Sequence, residues 1–233
     1  MNKIVIAIDG FSSTGKSTIA KRLANELGYI YVDTGAMYRA VTLFAIQNKL
    51  ISEKVFLQEE LLKQLKDIHI TFKYNENLGF AEVYLNGENV ESKIRTLEVS
   101  SYVSEVATLS EVRQKLVEQQ QEMGKDKGIV MDGRDIGTVV FPDAELKLFM
   151  TASAETRATR RYNELIERGD DLSYEQVLDN VIYRDHVDST REDSPLLKAD
   201  EAIEIDNSEL TIEEQLISIL GLVSEILNKK SDS

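Results

Sequence analysis

A chain of 233 residues, 42% of them hydrophobic, is long enough to bury one good core with room for a small insert. Its net charge of −14 argues against a general nucleic-acid binder, and the absence of cysteine excludes disulfides, thiol nucleophiles and thiolate metal sites. Two histidines cannot build a histidine-rich metal cluster, no apolar run approaches the roughly 18 residues of a membrane span, and Asp9 breaks any apolar leader; a cytoplasmic protein with no membrane or nucleic-acid partner is expected.

In chain order, the first element is Ile4-Val5-Ile6-Ala7-Ile8, a short apolar run of mostly β-branched residues that predicts a strand. It leads into Gly10-Phe11-Ser12-Ser13-Thr14-Gly15-Lys16-Ser17-Thr18, which matches GxxxxGK(S/T). Ile19, Leu23 and Leu27 then recur at helical spacing until Gly28. Strand, glycine-rich turn and helix together predict a nucleoside triphosphate site. Glycine lets the backbone approach a phosphate, successive N–H groups form an anion cradle, and the helix N-terminus adds partial positive charge. Lys16 is expected to reach the outer phosphates, and the Ser17 hydroxyl to help hold Mg²⁺.

Tyr29 to Val32 predicts a second strand, ending at Asp33-Thr34-Gly35 and followed by a helix to about residue 48. Residues 53–66 have a charged, helical pattern. His69 to Tyr74 and Ala81 to Leu85 read as strands, with Asn86-Gly87 as a hairpin turn. Helices are expected over about 95–108 and 110–124. Gly128 to Met131 is a further strand, ending on Asp132-Gly133, and Glu145 to Met150 is another. An Arg-rich helical region over 154–187, a last strand over 202–205 and a last helix over 212–227 complete the chain, with a polar, frayed tail from Asn228. Five βα-type strands imply an α/β fold with a parallel sheet covered on both faces. The chain reads as one domain over 1–233, with a small antiparallel insert over 66–93 and an Arg-rich segment over 154–191.

Arginine is unevenly placed. Of 11 arginines, six fall between residues 157 and 191 (Arg157, Arg160, Arg161, Arg168, Arg184 and Arg191), a stretch without lysine. The planar guanidinium grips phosphate oxygens at two points and keeps its charge. At least three of the six are expected to touch phosphate. The competing reading is a solvated helix with Arg160–Glu164 and Glu164–Arg168 pairs at i,i+4 spacing. The guanine-reading NKxD string and the γ-phosphate-sensing DxxG string are both absent. Phosphoryl transfer to a small acceptor therefore follows, through charge neutralisation and in-line positioning under an Arg-rich lid.

Asp33-Thr34-Gly35-Ala36-Met37-Tyr38-Arg39, Ile94-Arg95-Thr96, Asp132-Gly133-Arg134-Asp135, Gly137-Thr138-Val139-Val140-Phe141-Pro142-Asp143-Ala144, Arg184-Asp185, Asp188 and Arg191 resemble the bacterial cytidylate kinases over nearly the whole chain. The resemblance implies a P-loop kinase fold that moves the γ-phosphate of ATP onto CMP or dCMP. It places the acceptor phosphate against Arg39 and Arg134, and the base near Thr34, Ser104, Arg113 and Asp135. Arg184 and Asp188 are expected at the ribose and Arg191 near the phosphates. Lys16, Arg134, Arg157, Arg161, Arg184 and Arg191 form the expected catalytic set. Mg²⁺ is expected on Ser17, with Asp33 or Asp132 reached through water. A carboxylate can accept from the cytosine amino group while a guanidinium donates to N3 and O2; uracil reverses the first two atoms, so CMP is favoured over UMP. Phe11, where many relatives carry proline, is expected to alter loop rigidity. Two alternatives stay open: a kinase of similar fold for UMP or a non-nucleotide metabolite, and a non-catalytic ATP-sensing module. A monomer is expected.

Overall fold

A computed structural model describes residues 3–231, with side chains to Lys229. The elements are β1 (Val5–Gly10), α1 (Lys16–Leu27), β2 (Ile30–Asp33), α2 (Thr34–Gln47), β3 (Ile51–Ser52), β4 (Val55–Phe56), α3 (Gln58–Gln64), β5 (Ile70–Asn75), β6 (Phe80–Leu85), β7 (Glu88–Asn89), α4 (Leu97–Val106), α5 (Ser110–Met123), β8 (Ile129–Gly133), β9 (Leu146–Thr151), α6 (Ala154–Glu167), α7 (Tyr174–Thr190), β10 (Ile203–Asp206) and α8 (Ile212–Ser231). They divide into two compact units, one of residues 1–32 with 121–233 and one of residues 33–120.

The first unit is built on a five-stranded sheet in the order β10-β9-β1-β8-β2. β1 pairs in parallel with both β8 and β9, Ile8 facing Asp132 on one side and Leu148 on the other. A strand covered on both faces has no reason to alternate polar and apolar residues, which is why β1 is buried at every position. Ile4, Ile6 and Ile8 pack with Ile19 and Leu23 of α1, Leu146 and Leu148 of β9, and Leu216, Ile219 and Val223 of α8. The same register brings Gly10, Gly133 and Thr151 to the carboxyl ends of neighbouring strands, where ligands bind in open α/β sheets. Gly10 has φ +144°, and a Cβ there would lie 2.1 Å from the Met150 carbonyl oxygen, so no other residue fits beside β9.

The second unit holds α2, α4 and a three-stranded antiparallel sheet, β5-β6-β7. Asn86-Gly87, both at positive φ, turn β6 into β7 as their sequence predicts. Four features differ from the sequence expectation. Residues 51–56 form a two-strand hairpin, so the helix expected over 53–66 is confined to α3 and one 3₁₀ turn. The helical stretch over 154–187 is two helices, parted by Gly169 at φ +89° and restarted by a capping box of Ser173 and Gln176. Residues Ile136–Val140 after β8 form a π-helical turn. The tail expected to fray from Asn228 continues α8 to Ser231.

Candidate active site

The loop between β1 and α1 is shaped by glycine at both ends and by Ser13, which takes φ +58° between them. Its carbonyls are turned away by side chains from several elements. The Phe11 carbonyl accepts from Thr14 Oγ1 at 3.1 Å and Lys16 Nζ at 2.5 Å. The Ser12 carbonyl accepts from Arg157 Nη1 at 3.2 Å, and the Thr14 carbonyl from Asn207 Nδ2 at 2.5 Å. With these carbonyls occupied by side-chain donors, the loop N–H groups are left for an anion. Ser12 Oγ is buried without a hydrogen-bond partner, as suits a group awaiting one. Lys16 is buried, and burial together with the neighbouring Arg134 pulls its pKa well below that of a free lysine. An anionic ligand would relieve both effects.

Asp132 closes β8 with both oxygens engaged: Ser17 Oγ donates to one at 2.9 Å and Tyr31 Oη to the other at 2.8 Å. A hydroxyl and a carboxylate this close are hard oxygen donors that suit Mg²⁺. Among the described residues no group of three or more His, Asp or Glu side chains could hold a metal ion, so such an ion depends on substrate phosphates for further donors. Asp9, at the end of β1, accepts from the N–H groups of Ile136 and Gly137 at 2.8 and 2.7 Å. It thereby caps the π-helical turn that begins directly after Asp135. Burial outweighs those two bonds and pushes the Asp9 pKa up to about 7.

Most arginines of this unit are anchored by carboxylates. Arg134 Nε donates to Asp188 Oδ2 at 2.8 Å, and Arg191 lies 3.8 Å from the other Asp188 oxygen while bonding the Ser194 carbonyl. Burial opposes the Asp188 charge, but Arg134, Arg184 and Arg191 outweigh it and hold the carboxyl below its usual range. Arg157, expected in the catalytic set, is 4% exposed and commits its donors to Ala152 O, Ser12 O and both oxygens of Asp185. Arg161 and Arg168 both pair with Glu164, whereas Arg160 turns to Asn207 at 3.0 Å rather than to Glu164.

In the second unit Asp33 is surrounded by donors. It caps α2 through the Ala36 N–H at 2.9 Å and takes Arg39 and Arg95 at 2.9 Å each. Despite burial, these cations hold its pKa far below the usual range. A carboxylate flanked by two guanidiniums is a poor metal ligand, so of the two candidate aspartates Asp132 is the one whose surroundings fit. A Cβ on Gly35 would meet Arg39 Nη1 at 2.9 Å, so glycine is what lets that guanidinium lie on the helix start. Glu91 holds Arg95 from the other side at 2.6 Å. Arg113, 2% exposed, donates to the Ala107 carbonyl at 3.1 Å and lies over the Tyr38 ring at 5.5 Å. Thr34 stands one turn before Tyr38 on α2, and Ser104 one turn before Ala107 at the end of α4; both are buried. Arg113 thus touches the two elements that carry Thr34 and Ser104.

Two participants carried little local sequence signal. Asn207 is a lone asparagine after a strand, and Asp185 reads as one more acid on a charged helix. Only the fold brings them to the loop or to an arginine, whereas Glu91 meets Arg95 at the i,i+4 spacing the sequence offers.

A family model described as cytidylate kinase matches residues 6–225. A cytidylate kinase of Flavobacterium johnsoniae is 67% identical over 227 residues, covering 97% of this chain and 99% of the relative. One from Flavobacterium psychrophilum is 64% identical, covering 97% and 100%, and one from Bacteroides fragilis 61%, covering 92% and 94%. The phosphate loop, the strands from Ile6 onward and the Asp132-Gly133-Arg134-Asp135 string all fall inside the family-model match, and the chain belongs to the cytidylate kinase family.

Proposed function

We propose that the protein transfers the γ-phosphate of ATP to CMP or dCMP, giving ADP and the nucleoside diphosphate. The observation that carries the reading is the Ser17–Asp132 hydrogen bond at 2.9 Å beside a loop whose Phe11, Ser12 and Thr14 carbonyls are held by side-chain donors, in a chain of this family. Ser17, and Asp132 through water, would hold a Mg²⁺ ion, which would supply charge neutralisation on the donor phosphates. Loop N–H groups and Lys16 hold the donor triphosphate. Arg134, oriented by Asp188, and Arg39, oriented by Asp33, hold the acceptor phosphate. Arg161, Arg184 and Arg191 offset charge that spreads over the transferred group. An acceptor phosphate oxygen is already anionic, so no general base is required and catalysis is positioning and electrostatics.

Thr34, Ser104, Arg113 and Asp135 read the acceptor base, and Arg184 with Asp188 the ribose. The antiparallel segment over 66–93 serves the acceptor side, and residues 154–191 act as the lid. A monomer working in the cytoplasm suits the composition; among the described residues no helix is long and apolar enough to cross a membrane.

The test is ADP formation from ATP and Mg²⁺ with CMP, dCMP, UMP, AMP, GMP or no acceptor. CMP should give the fastest turnover, and Asp135→Ala should erase the preference over UMP. Lys16→Ala should lower turnover by orders of magnitude. Equal rates with UMP would remove the base-reading role of Asp135 and Arg113, and acceptor-independent ADP formation would replace the kinase with an ATPase.

A further inference from the structure

Arg157 and Asn207 make the two carbonyl contacts to the phosphate loop that come from outside it. The loop is locally strained: Ser13 takes a left-handed conformation that is unfavourable for a residue with a Cβ. The two carbonyls on either side of Ser13, those of Ser12 and Thr14, are the ones these side chains hold. Both holders are buried, at 4% and 1% exposure, and both are themselves fixed. Arg157 is locked by a two-point ion pair with Asp185 of α7 at 2.6 and 3.0 Å and by the Ala152 carbonyl, and its guanidinium lies 5.2 Å from the centre of the Phe11 ring. Phe11 packs edge-on against Phe149 of β9 at 6.1 Å. Asn207 receives Arg160 on its carbonyl oxygen at 3.0 Å and gives its second N–H to Gln215 at 3.2 Å.

We infer that Arg157 and Asn207 are positioning residues for the donor triphosphate, acting through the Ser12 and Thr14 carbonyls to turn the loop N–H groups inward, with Phe11 as the platform for Arg157. The inference rests on the reading of this loop as the ATP site. It moves Arg157 out of the set of arginines that touch phosphate, because four of its five N–H groups are already given to Ser12, Ala152 and Asp185. It also gives Phe11 a purpose: an aromatic ring where proline is common supplies a face for the guanidinium and an edge for Phe149.

The experiment compares Arg157→Lys, Asn207→Ala, Asn207→Asp and Phe11→Pro with the parent protein and with Lys16→Ala. Affinity for MgATP is measured directly with a non-hydrolysable ATP analogue, alongside KM for ATP, KM for CMP, kcat and the thermal midpoint. Loss of one carbonyl contact should weaken the analogue about tenfold, with KM for CMP little changed. Asn207→Asp, which sets a carboxylate against the Thr14 carbonyl, should weaken it more than Asn207→Ala. Arg157→Lys should keep part of the affinity through its single ammonium. Phe11→Pro should weaken the analogue by a smaller factor. A lower thermal midpoint with unchanged analogue affinity would reduce both residues to ordinary stabilisers and overturn the inference. So would an Arg157→Lys enzyme that binds the analogue normally but loses kcat by orders of magnitude, since that is the signature of direct phosphate contact. If Lys16→Ala itself leaves turnover and analogue binding intact, it is the ATP-site reading that falls.

Discussion

A buried carboxylate can be a metal ligand, a cap or an anchor for cations, and at Asp33 the surroundings decide. One oxygen caps α2; the other receives Arg39 and Arg95. Asp33→Asn keeps an acceptor for the cap but removes the charge that Arg39 and Arg95 share, leaving Arg95 its pair with Glu91. Charge-assisted bonds of this kind contribute roughly 1.5–3 kcal/mol, so KM for CMP should rise about tenfold or more while KM for ATP holds. Initial rates at varied CMP and saturating ATP measure this, and an unchanged KM would mean that Arg39 is oriented without Asp33. The sequence showed that Asp33 follows a strand and precedes a glycine, but not that an arginine 62 residues away shares it. Residue roles of that kind depend on tertiary neighbours that no local spacing encodes. Lys16 was legible for the opposite reason: its partners Phe11 and Thr14 lie a few positions away in a loop of fixed length, whereas Ser17 was legible from the motif spacing alone, its partner Asp132 lying 115 residues on.

At the scale of elements, period and punctuation carried most of the fold. The β1 run, the glycine loop and α1 could be read directly because a buried parallel strand has a distinctive composition and the loop has a fixed spacing. Two-residue strands such as β3, β4 and β7 contain no period at all, and the hairpin at 51–56 was absorbed into a helical pattern. The π-helical turn at 136–140 depends on Asp9, more than 120 residues earlier, accepting from its first N–H groups. The break between α6 and α7 was marked by Gly169 and by Ser173 with Gln176, a capping pair at the right spacing. Ser173→Ala removes that cap from an exposed helix start. A cap of this type contributes about 1 kcal/mol, so amide exchange over residues 174–178 should quicken by roughly fivefold, with β1 and β8 unaffected. Hydrogen exchange by mass spectrometry would read this; uniform acceleration across the sheet would mean that α7 does not open on its own.

Over the whole molecule, buried carboxylates of opposite tendency set the response to pH. Asp33 and Asp188 are held below their usual range by arginines. The stability they contribute is complete above the unfolded value of 3.8 and is lost as pH falls through their folded values. Asp9 works the other way, since burial raises it from 3.8 to about 7. Its contribution is complete below 3.8 and is lost as pH rises through about 7, because the folded state must then carry a desolvated charge. The net charge of −14 at neutral pH adds self-repulsion in the same direction. The thermal midpoint should therefore be highest near the acid end of this range, decline as pH rises from 3.8 to about 7, and fall again in stronger acid. Asp9→Asn separates the two limbs. It gives up one acceptor for the Ile136 and Gly137 N–H groups, a loss that does not vary with pH, but it cannot ionise. Relative to the parent, the variant should therefore gain stability as pH rises from 3.8 to about 7, by on the order of a few kcal/mol, while the acid limb stays in place. Midpoints of both proteins across that range provide the measurement. A constant offset would mean that Asp9 does not titrate there and that its two backbone bonds hold it ionised throughout.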